Sequence, residues 1–145
     1  MTAATPLGAH RLGCAPHEDA DTHQTREPLP DEWIGREVGL MDVLLYARRR
    51  VLEKRGLWSV TGLDTVDSLL AFTIGWASNT QFNGGTDLEW QAFQDWLRDE
   101  KREAPPEGWH VKYLRDCEGD HERAALKFLD FAHEFVSSRH KAPPR

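Results

Sequence analysis

Hydrophobic residues recur at helical spacing in four stretches of the chain. Residues 37–55 carry one apolar stripe with charged side chains on the other faces, and Gly56 follows where a helix commonly ends. Residues 66–79 carry a second apolar set that follows candidate N-caps in 61–64. The polar segment 79–85 then has the composition of a loop.

The second half of the chain repeats this pattern. Thr86-Asp87-Leu88-Glu89 matches a capping box that opens a third helix, and Pro105-Pro106 is expected to end it. Asp120 is the expected N-cap of a final helix with a continuous apolar face. Segment 109–114 fits a short strand or a helical turn equally well. The pattern predicts an all-α fold, a small antiparallel bundle of about four to five helices.

Composition places the boundaries of this bundle. Residues 1–30 are polar and proline-containing with no apolar period, so we expect a disordered arm. Residues 31–138 form the predicted single domain, and 139–145 a flexible tail. The predicted domain holds 13 basic and 20 acidic side chains, a net charge of −7, so it is acidic.

The sequence predicts a cytoplasmic protein without a membrane span. No stretch reaches the roughly 20 apolar residues of a spanning helix, and the first residues lack the pattern of a secretory signal. Two cysteines in 145 residues suit a reducing compartment.

Enzymatic chemistry is not indicated. The chain has no Gly-x-Ser-x-Gly elbow and no phosphate-binding glycine loop, so we expect no enzyme and no cofactor. The chain has one basic cluster, Arg48-Arg49-Arg50 with Lys54 and Arg55, at the predicted end of a helix. Because the domain around it is acidic, the sequence argues against a nucleic-acid partner.

Metal binding is the alternative hypothesis. The arm carries residue types that bind zinc, although their spacing matches no standard finger: His10, Cys14, His17 and His23. On the last helix Asp130, His133 and Glu134 are neighbours at i, i+3 and i+4, a pattern that a solvated helix face also produces.

Acidic and aromatic residues give the candidate partner-binding surface. The acidic set is expected along the face of the third helix and could steer a basic partner: Asp87, Glu89, Asp95, Asp99, Glu100 and Glu103. Three of the six tryptophans, Trp33, Trp58 and Trp90, are candidates for partial exposure, with a core role as the alternative.

Five stretches that contain aromatic residues lie between residues 45 and 136: Arg55-Gly56-Leu57-Trp58, Ile74-Gly75-Trp76, Phe93-Gln94-Asp95-Trp96, Gly108-Trp109, and Phe128-Leu129-Asp130-Phe131 through Phe135. Together they resemble the pattern of a group of small bacterial proteins, mostly uncharacterised, some of which are similar to immunity proteins of polymorphic toxin systems. The first stretch lacks the proline, methionine and second glycine of the group's pattern. The resemblance implies a shared fold and carries over no catalytic residue.

Three functional hypotheses follow. The first is a non-enzymatic protein-binding module, in its most concrete form an immunity-like inhibitor that occludes a basic toxin. The second is a small metal-binding protein or metal-dependent enzyme that uses His, Asp and Glu ligands. The third is an accessory subunit of a larger complex.

Overall fold

The computed structural model describes residues 28–141, and these residues form six α-helices without a strand. The helices are α1 Leu40–Leu52, α2 Trp58–Thr61, α3 Val66–Phe82, α4 Leu88–Asp99, α5 Trp109–Asp116 and α6 His121–Lys141. The chain divides into two compact units, the first ending at Ile34 and the second beginning at Gly35. The described part of the first unit is a 3-10 turn, Asp31–Trp33. The predicted all-α class is confirmed.

Helix α6 lies at the centre of the second unit and contacts α1, α3, α4 and α5. Its buried face carries Phe128 and Phe135, whose rings lie 5.7 and 5.5 Å from that of Phe93 on α4. The Trp109 ring of α5 stacks on Phe128 at a centroid distance of 3.9 Å. These residues bury large aromatic surfaces around one helix, so the unit is a small helical bundle with a shared core.

Segment 109–114 is helical and belongs to α5. Trp109 and Tyr113 are four residues apart and therefore lie on the same side of α5. Tyr113 is fully buried, and its ring lies 5.7 Å from that of Trp109. Tertiary contact with α6 thus favours the helical period over the alternation that a strand needs.

Several predicted helix ends are wrong. Helix α3 continues to Phe82 rather than ending near residue 79. Asn79 lies inside its last turn, where its backbone carbonyl accepts a hydrogen bond from the side-chain amide of Asn83. Helix α4 ends at Asp99, six residues before Pro105, so the prolines do not terminate it. Helix α6 runs to Lys141, three residues beyond the predicted end of the domain. The proposed division into arm, domain and tail otherwise remains a prediction.

The N-cap of α4 is Asp87 rather than Thr86. One carboxylate oxygen of Asp87 accepts from the backbone N–H of Trp90 at 2.9 Å, as an N-cap does. The other accepts from the backbone N–H of Leu40 at 3.1 Å, in the first turn of α1. The N-cap position of α1 is Gly39, which has no side chain, so Asp87 supplies an acceptor to both helix starts.

Of the other two predicted N-caps, the one for α3 is wrong and the one for α6 is confirmed. Helix α3 is capped by Thr65, which accepts from the Ser68 N–H at 3.1 Å, and not by a residue of 61–64. Asp64 instead accepts hydrogen bonds from Leu57 and Trp58 at the start of α2. The predicted cap at Asp120 is confirmed by its hydrogen bond from the Arg123 N–H at 3.0 Å.

Across residues 28–141, no helix has both the length and the apolar character that spanning a membrane requires.

Candidate functional site

The structure brings three of the predicted acidic residues around one depression between α4 and α6. Its volume is about 430 Å³. Asp95, Asp99 and Glu100 are exposed at its rim, and Trp96 and Phe135 line it. The complete lining consists of Ala92, Asp95, Trp96, Asp99, Glu100, Phe135, Ser138 and Arg139. We call this depression the acidic pocket.

Arg98 fixes two of the rim carboxylates. Its guanidinium donates to Asp95 at 2.8 Å and to Asp99 at 2.8 and 3.0 Å. The hydrogen bond from Arg98 lowers the pKa of Asp99 below its ordinary value, so this carboxylate stays ionised well below neutral pH. All three groups are exposed, so the ion pairs orient the rim more than they stabilise the fold.

The aromatic rings of the acidic pocket already carry cations from the chain itself. The Lys101 Nζ lies 5.1 Å from the centroid of the Trp96 ring, and the Arg139 guanidinium carbon lies 5.2 Å from that of Phe135. Both distances are within the range of cation–π attraction. The pocket therefore combines aromatic faces and a carboxylate rim, two features that attract cations, and Arg98, Lys101 and Arg139 of the chain already contact them.

The other three predicted acidic residues do not line this pocket. Asp87 is the N-cap that joins α1 and α4, and Glu89 is exposed in the first turn of α4. Glu103 lies beyond the end of α4 and is half-buried, with its Oε2 atom 3.2 Å from the Lys112 Nζ. The prediction of one acidic helix face is therefore wrong for Asp87 and Glu103. Helix α4 begins after Asp87 and ends before Glu103.

The tryptophans expected near the surface separate into different environments. Trp58 is 49% exposed at the start of α2, whereas Trp90 is only 8% exposed and belongs to the core. Trp33 is half-buried. Trp90 is covered because it lies one turn from Phe93 on the face of α4 directed at the core, and the two rings are 5.7 Å apart.

The predicted carboxylate–histidine set on α6 does not converge. Asp130 accepts from the Arg48 Nε at 2.8 Å, Glu134 forms an ion pair with Lys101, and His133 is exposed. Among residues 28–141, no group of three or more His, Cys, Asp or Glu side chains could hold a metal ion. His10, Cys14, His17 and His23 lie outside the described residues.

A ring of charges around Tyr113 was not predicted. The Lys112 ammonium bridges Glu103 at 3.2 Å and Asp116 at 2.9 Å, and Lys127 binds Asp116 at 3.0 Å and lies 4.5 Å from the Tyr113 ring centroid. Burial raises the pKa of the Tyr113 hydroxyl far above its ordinary value, and the nearby charge of Glu103 adds to the effect. The residues come from three separate segments, so spacing along the chain contains no sign of the ring.

An apolar groove between α3 and α4 was also missed. Its volume is about 300 Å³, and its walls carry Leu70, Ile74 and Ala77 of α3 above the core residues Trp90 and Phe128, with Glu103 as the one charged lining residue. Ile74 in this wall is 56% exposed, and Phe82 at the C-terminal end of α3 is 86% exposed. The signal was the composition of α3, which has apolar residues on all sides and one charged residue, Asp67, in 17 positions.

Comparison with family models, with curated proteins and with solved structures found no match to this chain.

Proposed function

We propose that this chain is a non-enzymatic protein-binding module that recognises a basic partner through the acidic pocket between α4 and α6. The observation that carries the proposal is the grouping of Asp95, Asp99 and Glu100 around the rings of Trp96 and Phe135. A lysine or arginine of a partner would find carboxylates close to aromatic faces, and the contacts of Lys101 with Trp96 and of Arg139 with Phe135 are examples of the cation–π part of such binding.

The charge of the chain supports this choice of partner. The whole sequence carries a formal charge of −6, and a negative surface accelerates the approach of a positive protein. Arg98 holds the carboxylates of Asp95 and Asp99 in place before binding, which lowers the ordering cost of a complex. An immunity-like inhibitor that covers a basic toxin is the most specific form of the proposal, and it rests on the sequence resemblance.

The experiment compares affinity capture from a lysate by three forms of the full chain. The first is wild type, and the second carries Asp95→Asn, Asp99→Asn and Glu100→Gln. The third carries Glu37→Gln, Glu118→Gln and Glu122→Gln, which change the net charge equally at exposed sites elsewhere.

We expect a basic protein to be retained by wild type and by the charge-matched control and lost by the pocket variant. Salt should release it from wild type, since exposed charges are screened within about 8 Å at physiological ionic strength. Equal retention by all three forms would refute the assignment of the acidic pocket. Circular dichroism of the three forms checks that each is folded.

A further inference from the structure

Helix α3 leaves one side uncovered in the second unit, and this side carries almost no charge. Ile74, Ser78 and Phe82 follow one another at intervals of four residues and therefore form one ridge along the helix. Ala71 and Gly75 are exposed beside this ridge, and the space above Gly75 is open. We call this surface the α3 face.

The α3 face offers both a protruding side chain and a cavity. Phe82 is 86% exposed at the C-terminal end of α3, while Ile74 and Ser78 border the apolar groove between α3 and α4. The groove measures about 300 Å³. This is larger than the enclosed cavity of about 150 Å³ that holds benzene in a protein core.

We infer that the occupant of this groove is a second copy of the same chain. In a twofold dimer the contacts are reciprocal, so each residue of one copy meets a fixed counterpart in the other. An antiparallel α3 pair with its twofold axis at Ser78 places Phe82 of each copy against Ile74 of the other, because both lie four residues from Ser78. The small residues beside the ridge allow the two helices to approach closely.

The exposed apolar area of the α3 face is enough for a weak dimer. From their exposed fractions, Ile74 and Phe82 present about 300 Å² of apolar surface. A standard interface buries about 800 Å² per partner, of which roughly 57 to 65% is apolar. The two side chains therefore supply somewhat more than half of the apolar share of one standard interface, as a weak dimer requires.

Charge also favours a second copy at this position over contact elsewhere. Two copies of formal charge −6 repel, and the repulsion is smallest where charged side chains are fewest. Helix α3 has one charged residue, Asp67, in its first turn and away from Ser78. The groove adds one carboxylate, Glu103, which forms an ion pair with Lys112. Added salt should consequently strengthen self-association through the α3 face, whereas it weakens binding at the acidic pocket.

The first test is sedimentation equilibrium of the full chain from about 1 to about 500 µM. This range covers the dissociation constants expected of a weak dimer. We expect a monomer–dimer equilibrium. Phe82→Asp and Ile74→Glu should each raise the dissociation constant at least 30-fold, or by about 2 kcal/mol. Val111→Asp, which places the same charge on the exposed apolar residue of α5, should leave it unchanged.

The second test uses cysteine cross-linking in a Cys14→Ser background, with Ser78→Cys at the expected axis and Ser59→Cys at an exposed site on α2 as control. Only the Ser78→Cys chain should form a covalent dimer rapidly under mild oxidation. A monomer at every concentration would overturn the inference, and so would a dimer that Phe82→Asp and Ile74→Glu leave intact. Neither result depends on the acidic pocket, which lies between α4 and α6.

Discussion

Asp87 gives the sharpest prediction for stability, because its carboxylate accepts hydrogen bonds at the starts of two helices, one of them from Leu40, which is 47 residues away in the sequence. Removing it in Asp87→Ala leaves the N–H groups of Trp90 and Leu40 without these acceptors. A lost N-cap costs typically about 1 kcal/mol, and a negative charge at a helix start contributes about 0.3 to 1 kcal/mol. With two helix starts affected, we expect the free energy of unfolding to fall by about 2 to 3 kcal/mol.

Urea denaturation followed by circular dichroism measures this change. With a slope of about 1 to 3 kcal/mol per molar urea, the midpoint should fall by about 0.7 to 3 M. Asp120→Ala removes a cap from α6 alone and should cost about half as much. Thr86→Ala, at the position that the capping-box pattern favoured, should cost less than about 0.5 kcal/mol. The reasoning is refuted if Asp87→Ala costs no more than Asp120→Ala.

Three other changes test the core and the turns. Phe93→Ala should lower the free energy of unfolding by about 3 to 5 kcal/mol in urea denaturation, since this fully buried ring contacts aromatic rings of α4 and α6. Gly56→Ala should cost about 1 to 3 kcal/mol in the same assay, because φ is +70° and the new Cβ would lie only 2.5 Å from an Asp64 oxygen. Wild type and Tyr113→Phe should show equal phenolate absorbance in alkali while folded, because the buried Tyr113 hydroxyl stays protonated. After unfolding, wild type should show the absorbance of one additional phenolate, that of Tyr113.

The behaviour of Tyr113 also fixes the sign of a pH effect. Its pKa is raised in the folded chain by burial, so the folded state keeps a proton that the unfolded state releases near pH 10. The contribution of Tyr113 to stability is therefore complete below that pH and decreases as the pH rises above it. Tyr113→Phe should remove this part of the alkaline loss of stability, and an unchanged alkaline slope would contradict the assignment.

The sequence predicts the fold well because the core stripes are local. The apolar positions of α1 and α6 recur at helical spacing, so their existence follows from the residues themselves. The ends of the helices are harder to predict from the sequence, because they depend on tertiary contacts. Thr86 and Asp87 are both good N-cap residue types, and the one that caps α4, Asp87, also accepts a hydrogen bond from the Leu40 N–H of α1, a contact that the local sequence does not indicate.

The candidate sites show the same division between local and long-range information. Asp95, Asp99 and Glu100 share a short stretch, so their grouping could be predicted, whereas Phe135 joins them only because α6 contacts α4. Ile74 belongs to the apolar set of residues 66–79 but is 56% exposed in the structure. It is exposed because α3 is apolar on all sides and its neighbours cover only part of it.

The central claim is that the acidic pocket binds a basic protein, and the most direct measurement is the dissociation constant of the captured complex. It should be measured by calorimetry for wild type, for the pocket variant and for the charge-matched control, at low and at physiological salt. The account predicts at least a tenfold weakening, about 1.4 kcal/mol, for the pocket variant alone, together with a weaker dependence on salt. A pocket variant that binds as tightly as the charge-matched control would contradict it.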